Sequence, residues 1–197
     1  MLLIATACSA AVVDPPDEAD LDLITLPVSL YIVTNETAGG ASSARSIDEL
    51  QAVGTRVAEI WAQADIVMDI TVVGTIAVPD DVIRDIDDRD GRAFLSAAQQ
   101  GRFDVPNTGL IAGFYVPSAG GANGFAPPLT RVFFVTDEPT VHDERVSSHE
   151  IGHLLGLHHV TDDRDRLMFS GTNGMALSAE EIAVARYAAQ GILDGTR

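Results

Sequence analysis

The 197-residue chain carries one cysteine, one tryptophan and no lysine. A single cysteine, Cys8, excludes an internal disulfide framework and any cysteine-built zinc cage. The 12 basic side chains, all arginine, face 29 acids, and the net charge is −17 with neutral histidines. A surface of that sign repels a phosphate backbone, whose binders need Lys and Arg to displace counterions, so nucleic acid is excluded as a partner. No run of 18 apolar residues occurs, and no transmembrane helix is expected. Yet hydrophobic residues make up 46% of the chain, too many for a disordered acidic tail. A chain of this length can bury roughly 70% of its unfolded surface, and one globular domain is expected.

The first residues, Met1 to Ser9, form a short apolar run with small residues directly before Cys8. This resembles the tail of a bacterial lipoprotein signal peptide, in which the cysteine after the cleavage site is lipidated. No Arg or Lys precedes Cys8, so the positively charged start of a secretory signal is missing from the stretch. Residues 9–23 hold five acids, no base and Pro15-Pro16, the composition of an extended, solvated linker. The expected organisation is a signal remnant over 1–8, a linker over 9–23 and a domain over 24–197. An extracellular or envelope location follows from that resemblance, with Cys8 as the only membrane attachment.

Within the domain, Ile24 to Asn35 is rich in β-branched and aromatic residues and reads as a first strand, with Pro27 near its start. From Ser46 to Ala64 the apolar residues Ile47, Leu50, Val53, Val57, Ile60 and Trp61 recur at helical spacing, and Ser46 with Glu49 makes a capping box. Ile66 to Val78 reads as a second strand that Pro79 closes. Residues 80–92 carry six acids and three arginines and read as a solvated acidic loop; as a Ca2+ loop their alternation of aspartates is broken by Arg89. Ala93 to Gln100 reads as a short helix ended by Gly101, Gly109 to Val116 and Arg131 to Thr136 as strands, and Ala179 to Gln190 as a helix capped by Ser178 and Glu181. The order suggests an α/β (α+β) domain in which a mixed, twisted sheet packs against two long helices.

Four of the five histidines fall between positions 149 and 159. His149 and His153 are four residues apart, so on a helix they lie one turn apart on one face and can point at one ion. Glu150 is rotated about 100° from His149; it flanks the ion, as a general base acting on an activated water requires. A catalytic zinc site has three protein ligands and an open position. A straight helix cannot supply the third, but Gly156 can take the left-handed conformation that ends a helix and lets His159 turn back. The full pattern, H-E-x-x-H-x-x-G-x-x-H, would arise by chance in roughly one chain of this composition in a hundred thousand. His158 reads as a supporting or exposed residue, and so does His142.

The motif resembles that of the metzincin zinc metallopeptidases, with a spacing closest to their matrixin-like branch. Leu167-Met168-Phe169-Ser170-Gly171 resembles the family's Met-turn, which implies that Met168 lies beneath the imidazoles as a support. The resemblance covers about residues 24–192. It implies an antiparallel edge strand, here Gly121 to Ala126, that pairs with a bound peptide, and a specificity pocket shaped by Phe169 to Met175. Val160 departs from the residues usual after the third histidine, Ser170 excludes a tyrosine ligand of the astacin type, and no cysteine-switch segment precedes the domain. The implied activity is a monomeric zinc endopeptidase with one Zn2+ held by His149, His153 and His159 and with Glu150 as general base. The alternative is a catalytically silent module that keeps zinc for stability and binds peptides or partners.

Overall fold

The computed structural model describes residues 22–106 and 109–196, so the expectations for Cys8 and most of the linker lie outside the described residues. The elements follow the order β1 (Ile24–Asn35), α1 (Ile47–Ala62), β2 (Ile66–Val78), α2 (Asp80–Asp87), α3 (Gly91–Gln99), β3 (Ile111–Val116), β4 (Gly124–Phe125), β5 (Val132–Thr136), α4 (Asp143–Leu154) and α5 (Ala179–Leu193). The sheet order is β2-β1-β3-β5-β4. Four strands are parallel, and β4 alone runs antiparallel, at the edge beside β5.

Strand β1 lies inside the sheet between β2 and β3 and is buried on both faces, as parallel strands between helical layers are. Its alternate residues divide the core. Leu26, Val28, Leu30 and Ile32 pack with Leu50, Val57 and Trp61 of α1, Ile151 of α4 and Ala185 and Ala188 of α5. Tyr31 and Val33 pack on the opposite face with Val82, Ile83 and Ile86 of α2 and Phe94 of α3. Strands β3 and β5 continue the division: Tyr115, Phe133 and Val135 face α4, whereas Phe114 and Phe134 face α3. Helices therefore cover both faces of the sheet, not one.

The expected bounds of β1 and β2 hold, and both expected capping boxes form: Ser46 accepts from Glu49 N, and Ser178 accepts from Glu181 N. The expectation of a solvated loop over 80–92 is corrected. This stretch forms α2 and the start of α3 because Val82, Ile83 and Ile86 share one buried face, while Asp80 and Asp81 sit in the first turn, where the helix dipole favours acids. The structured segment then supports the chain that leads to β4. Asp87 Oδ1 accepts from Ser118 Oγ and from Gly120 N, the latter at 3.0 Å. Gly120 adopts φ +60, and a Cβ there would lie 2.2 Å from the Asp87 carbonyl oxygen, so only glycine fits. Among the described residues no helix is long and apolar enough to cross a membrane.

Candidate metal centre

Helix α4 is buried from Glu144 to Gly152, the all-round burial of a helix held inside a domain. It ends where Gly156 takes φ +83, with Gly156 N donating to His153 O and Leu157 N to Gly152 O. This left-handed stop turns the chain back, as its glycine predicts. The returning segment is tied down by Val160 N, which donates to Met168 O at 3.1 Å. His159 is thereby held between the end of the helix and the Met168 turn.

The three expected histidines meet. His159 Nε2 lies 3.1 Å from both His149 Nε2 and His153 Nε2. The other ring nitrogens are fixed by carbonyls: His149 Nδ1 donates to Leu167 O at 2.8 Å, and His153 Nδ1 donates to Leu157 O at 3.0 Å. Because a carbonyl can only accept, each Nδ1 holds the ring's proton and each Nε2 presents a lone pair. Burial disfavours the doubly protonated ring, holding His149 down to about 3 and lowering His153 as well. Three nitrogens that share at most one proton thus face one point, and a cation resolves the repulsion. Tetrahedral zinc, with Zn–N of about 2.0–2.1 Å, spaces its ligand atoms about 3.3 Å apart, close to the separations here. Donor chemistry, tautomers and spacing all fit zinc.

Glu150 is buried beside the cluster. Burial pushes its carboxyl up to about 8, and the positive charge of Arg145 pulls the other way. Met168 lies fully buried under the helix: a Cβ on Gly152 would come within 2.6 Å of its sulfur. Leu167, next to it, supplies the carbonyl that orients His149. His158 is exposed and outside the cluster, and His142 is exposed at the start of α4, 3.7 Å from Glu144. Glu181 is engaged elsewhere, with Arg166 at 2.5 Å. Among the described residues, His149, His153 and His159 are the one group of three suited to a metal ion.

A cleft of about 320 Å3 opens over the cluster, with Gly124 to Ala126 along one wall and Ser170 and Gly171 on another. Strand β4 occupies only Gly124–Phe125 of the expected Gly121 to Ala126 edge. Phe125 anchors it by stacking on Phe134 at 4.7 Å. Gly124 approaches α4 so closely that a Cβ would meet Val146 at 2.8 Å and Glu150 at 3.2 Å. The loops on either side are also pinned, since Asn123 Oδ1 accepts from Thr140 N and Asn173 Oδ1 from His142 N, both at 2.8 Å. Sequence reasoning missed Arg145, which lines the same cleft. Its one signal is the spacing from His149, a single helical turn.

No protein-family model matches the chain, and no curated protein matches its sequence. Solved structures are similar in fold. Archaemetzincin from Methanopyrus kandleri superposes with a TM-score of 0.57 at 15% identity, over 84% of this chain and 96% of that one. Metalloproteinase-II from Bacteroides fragilis gives 0.51 at 16% identity, over 84% of this chain and 53% of that one. A chaperone–substrate complex also gives 0.51, at 14% identity, over 87% of this chain and 35% of its counterpart. The chain thus spans about half of the Bacteroides protein. The domain shares its fold with these metallopeptidase structures and has a mixed sheet and a three-histidine cluster suited to a metal.

Proposed function

We propose that the protein is a zinc-dependent endopeptidase of the metzincin type, with a matrixin-like motif spacing. The observation that carries this reading is the meeting of three imidazole nitrogens beside a buried carboxyl group, under the sheet edge at β4. His149, His153 and His159 would hold the ion. When bound, zinc supplies the Lewis acidity that acidifies a water and polarises a peptide carbonyl.

The chain's own residues do the rest. The Nδ1 bonds of His149 and His153 fix the tautomer and aim both rings, while burial keeps them neutral. Glu150, held in a dry position that raises its proton affinity, takes a proton from the attacking water on a carboxylate oxygen and passes it to the leaving amine. Strand β4 binds the peptide backbone by adding a strand to the sheet. In this reading the turn at Met168 serves as the Met-turn, a rigid floor for the imidazoles.

The test is Glu150→Ala in zinc-loaded protein. Loss of hydrolysis of unfolded protein by about 10²–10⁴-fold, with zinc content and fold retained, is the expected result. A wild type that holds one zinc and cleaves no unfolded protein or peptide library would instead make it a zinc-stabilised binding module. We also propose that the domain works outside the cytoplasm, tethered through a lipid on Cys8. Metabolic labelling with a fatty-acid analogue, lost in Cys8→Ser, tests that placement.

A further inference from the structure

Arg145 is 3% exposed and lines the cleft one helical turn before His149. Its Nη2 donates to the carbonyls of Leu167, at 2.8 Å, and Phe169, whereas its Nε has no partner. Among the described residues no carboxylate comes within ion-pair distance of it. The chain's other well-buried arginines do have such partners: Arg45 pairs with Asp143 at 2.6 Å, and Arg166 with Glu181. Glu144, next to Arg145 in sequence, turns away to Arg56 at 3.1 Å. A chain with 29 acids therefore gives this deeply buried cation no ion pair among the described residues; only the Glu150 carboxyl acts on it, from beyond ion-pair distance. A buried guanidinium without a direct ion-pair partner is costly, and a carboxylate is the group that its planar fork of donors fits best.

The topology says which part of a substrate would reach Arg145. Strand β4 lies along α4 in the same sense: Gly124 meets Val146 and Glu150, while Ala126 lies with His153 and Leu154 around the adjoining apolar pocket. A peptide pairing antiparallel to β4 runs from the Ala126 end towards Asn123. Its N-terminal half lies at the His153 side, and its C-terminal half, past the scissile bond, lies at the Arg145 side.

We propose that Arg145 makes the cleft selective for a carboxylate on the C-terminal side of the scissile bond, from an Asp or Glu side chain or from the peptide's own terminus. This rests on the peptidase reading above. It also separates two scales of electrostatics. The net charge of −17 draws basic peptides from a distance, whereas Arg145 acts on one position at contact.

The experiment uses the zinc-loaded wild type and peptides identical except for Glu or Gln at the first residue after the bond, each with a free or an amidated C-terminus. At least tenfold higher kcat/KM for Glu over Gln assigns the site to a side chain; a similar gain for free acid over amide assigns it to the terminus. Equal rates across all four peptides would overturn the proposal and leave the peptidase reading standing. Calorimetric binding of the same peptides to zinc-loaded Glu150→Ala gives a second readout, with tenfold tighter binding of the carboxylate-bearing peptides expected. If no peptide is cleaved, equal binding of all four rejects the carboxylate site, and a carboxylate preference keeps it while hydrolysis is rejected. Arg145→Gln should level the ratios; because Arg145 also holds two carbonyls, the wild-type profile is decisive if that variant fails to fold.

Discussion

Gly152 lies between His149 and His153 on the buried side of α4, and Gly152→Ala tests whether the Met168 segment orients the histidine cluster. The added Cβ would sit 2.6 Å from Met168 Sδ, 3.4 Å from its Cε and 3.6 Å from Leu157 Cδ1. Non-bonded heavy atoms prefer about 3.5–4.0 Å, so Met168, fully buried, must retreat by about 1 Å. Such overpacking costs about 1–3 kcal/mol, while alanine gains about 1 kcal/mol over glycine in a helix. The net loss in metal-free protein is about 0–2 kcal/mol, a fall in Tm of at most about 8 °C for a chain of this size. The effect on zinc should be larger than that suggests. Moving Met168 carries the Leu167 carbonyl away from His149 Nδ1, and losing such a supporting bond typically weakens a metal site about 10–100-fold. Competition titration against a chromophoric chelator measures the affinity, and calorimetry of metal-free protein measures stability. A destabilised variant that binds zinc as tightly as the wild type would refute the role given to Met168 and Leu167.

Glu150→Gln should stabilise the metal-free protein in a pH-dependent way. Because burial raises the folded carboxyl from 4.5 to about 8, the unfolded chain loses that proton first and the wild type is penalised as pH rises. The variant's advantage should be about 1 kcal/mol at pH 5 and about 3 kcal/mol at pH 7; denaturant titrations showing a gap that does not change with pH would contradict the burial of this carboxyl. The opposite sign holds for His149 and His153, whose lowered affinity for protons costs metal-free stability as pH falls below about 6.5, equally in both proteins. Zinc at a hundred times its Kd should add about 2.7 kcal/mol, read as a Tm rise that chelator reverses and that is lost in His159→Ala. Phe94→Ala should cost about 3–5 kcal/mol, since the ring is fully buried against Phe103, Phe114 and Phe134. A loss below about 1 kcal/mol in urea denaturation would mean that the second core is not packed as described.

The elements that sequence reasoning located well are those whose signals are local. Ser46 and Glu49 mark the start of α1, and Pro79 marks the end of β2. The histidine cluster was legible because helix periodicity and one glycine suffice to bring His149, His153 and His159 together. Helix α2 was not, because six acids and three arginines in residues 80–92 obscure the three apolar residues that share its buried face. The extent of β4 was illegible for another reason: its two residues are defined by pairing with Phe134 and Val135, a contact that local pattern does not encode. Arg145 escaped notice because a lone arginine on a helix is ordinarily solvated, and only the packed structure reveals that it is not.

Strand β4 has consequences for which proteins could be attacked. With two residues paired to β5 on one side and an open cleft on the other, under the proposed function it would accept only a chain whose own backbone donors and acceptors are free. A residue inside a native helix or sheet has already committed those groups and cannot exchange them without local unfolding. On the proposed peptidase reading, the protein would therefore read the conformational history of its target before reading its side chains. Well-folded neighbours, including other copies of this protein, would be spared by their own hydrogen bonds, while frayed termini, loops and misfolded chains would be exposed to cleavage.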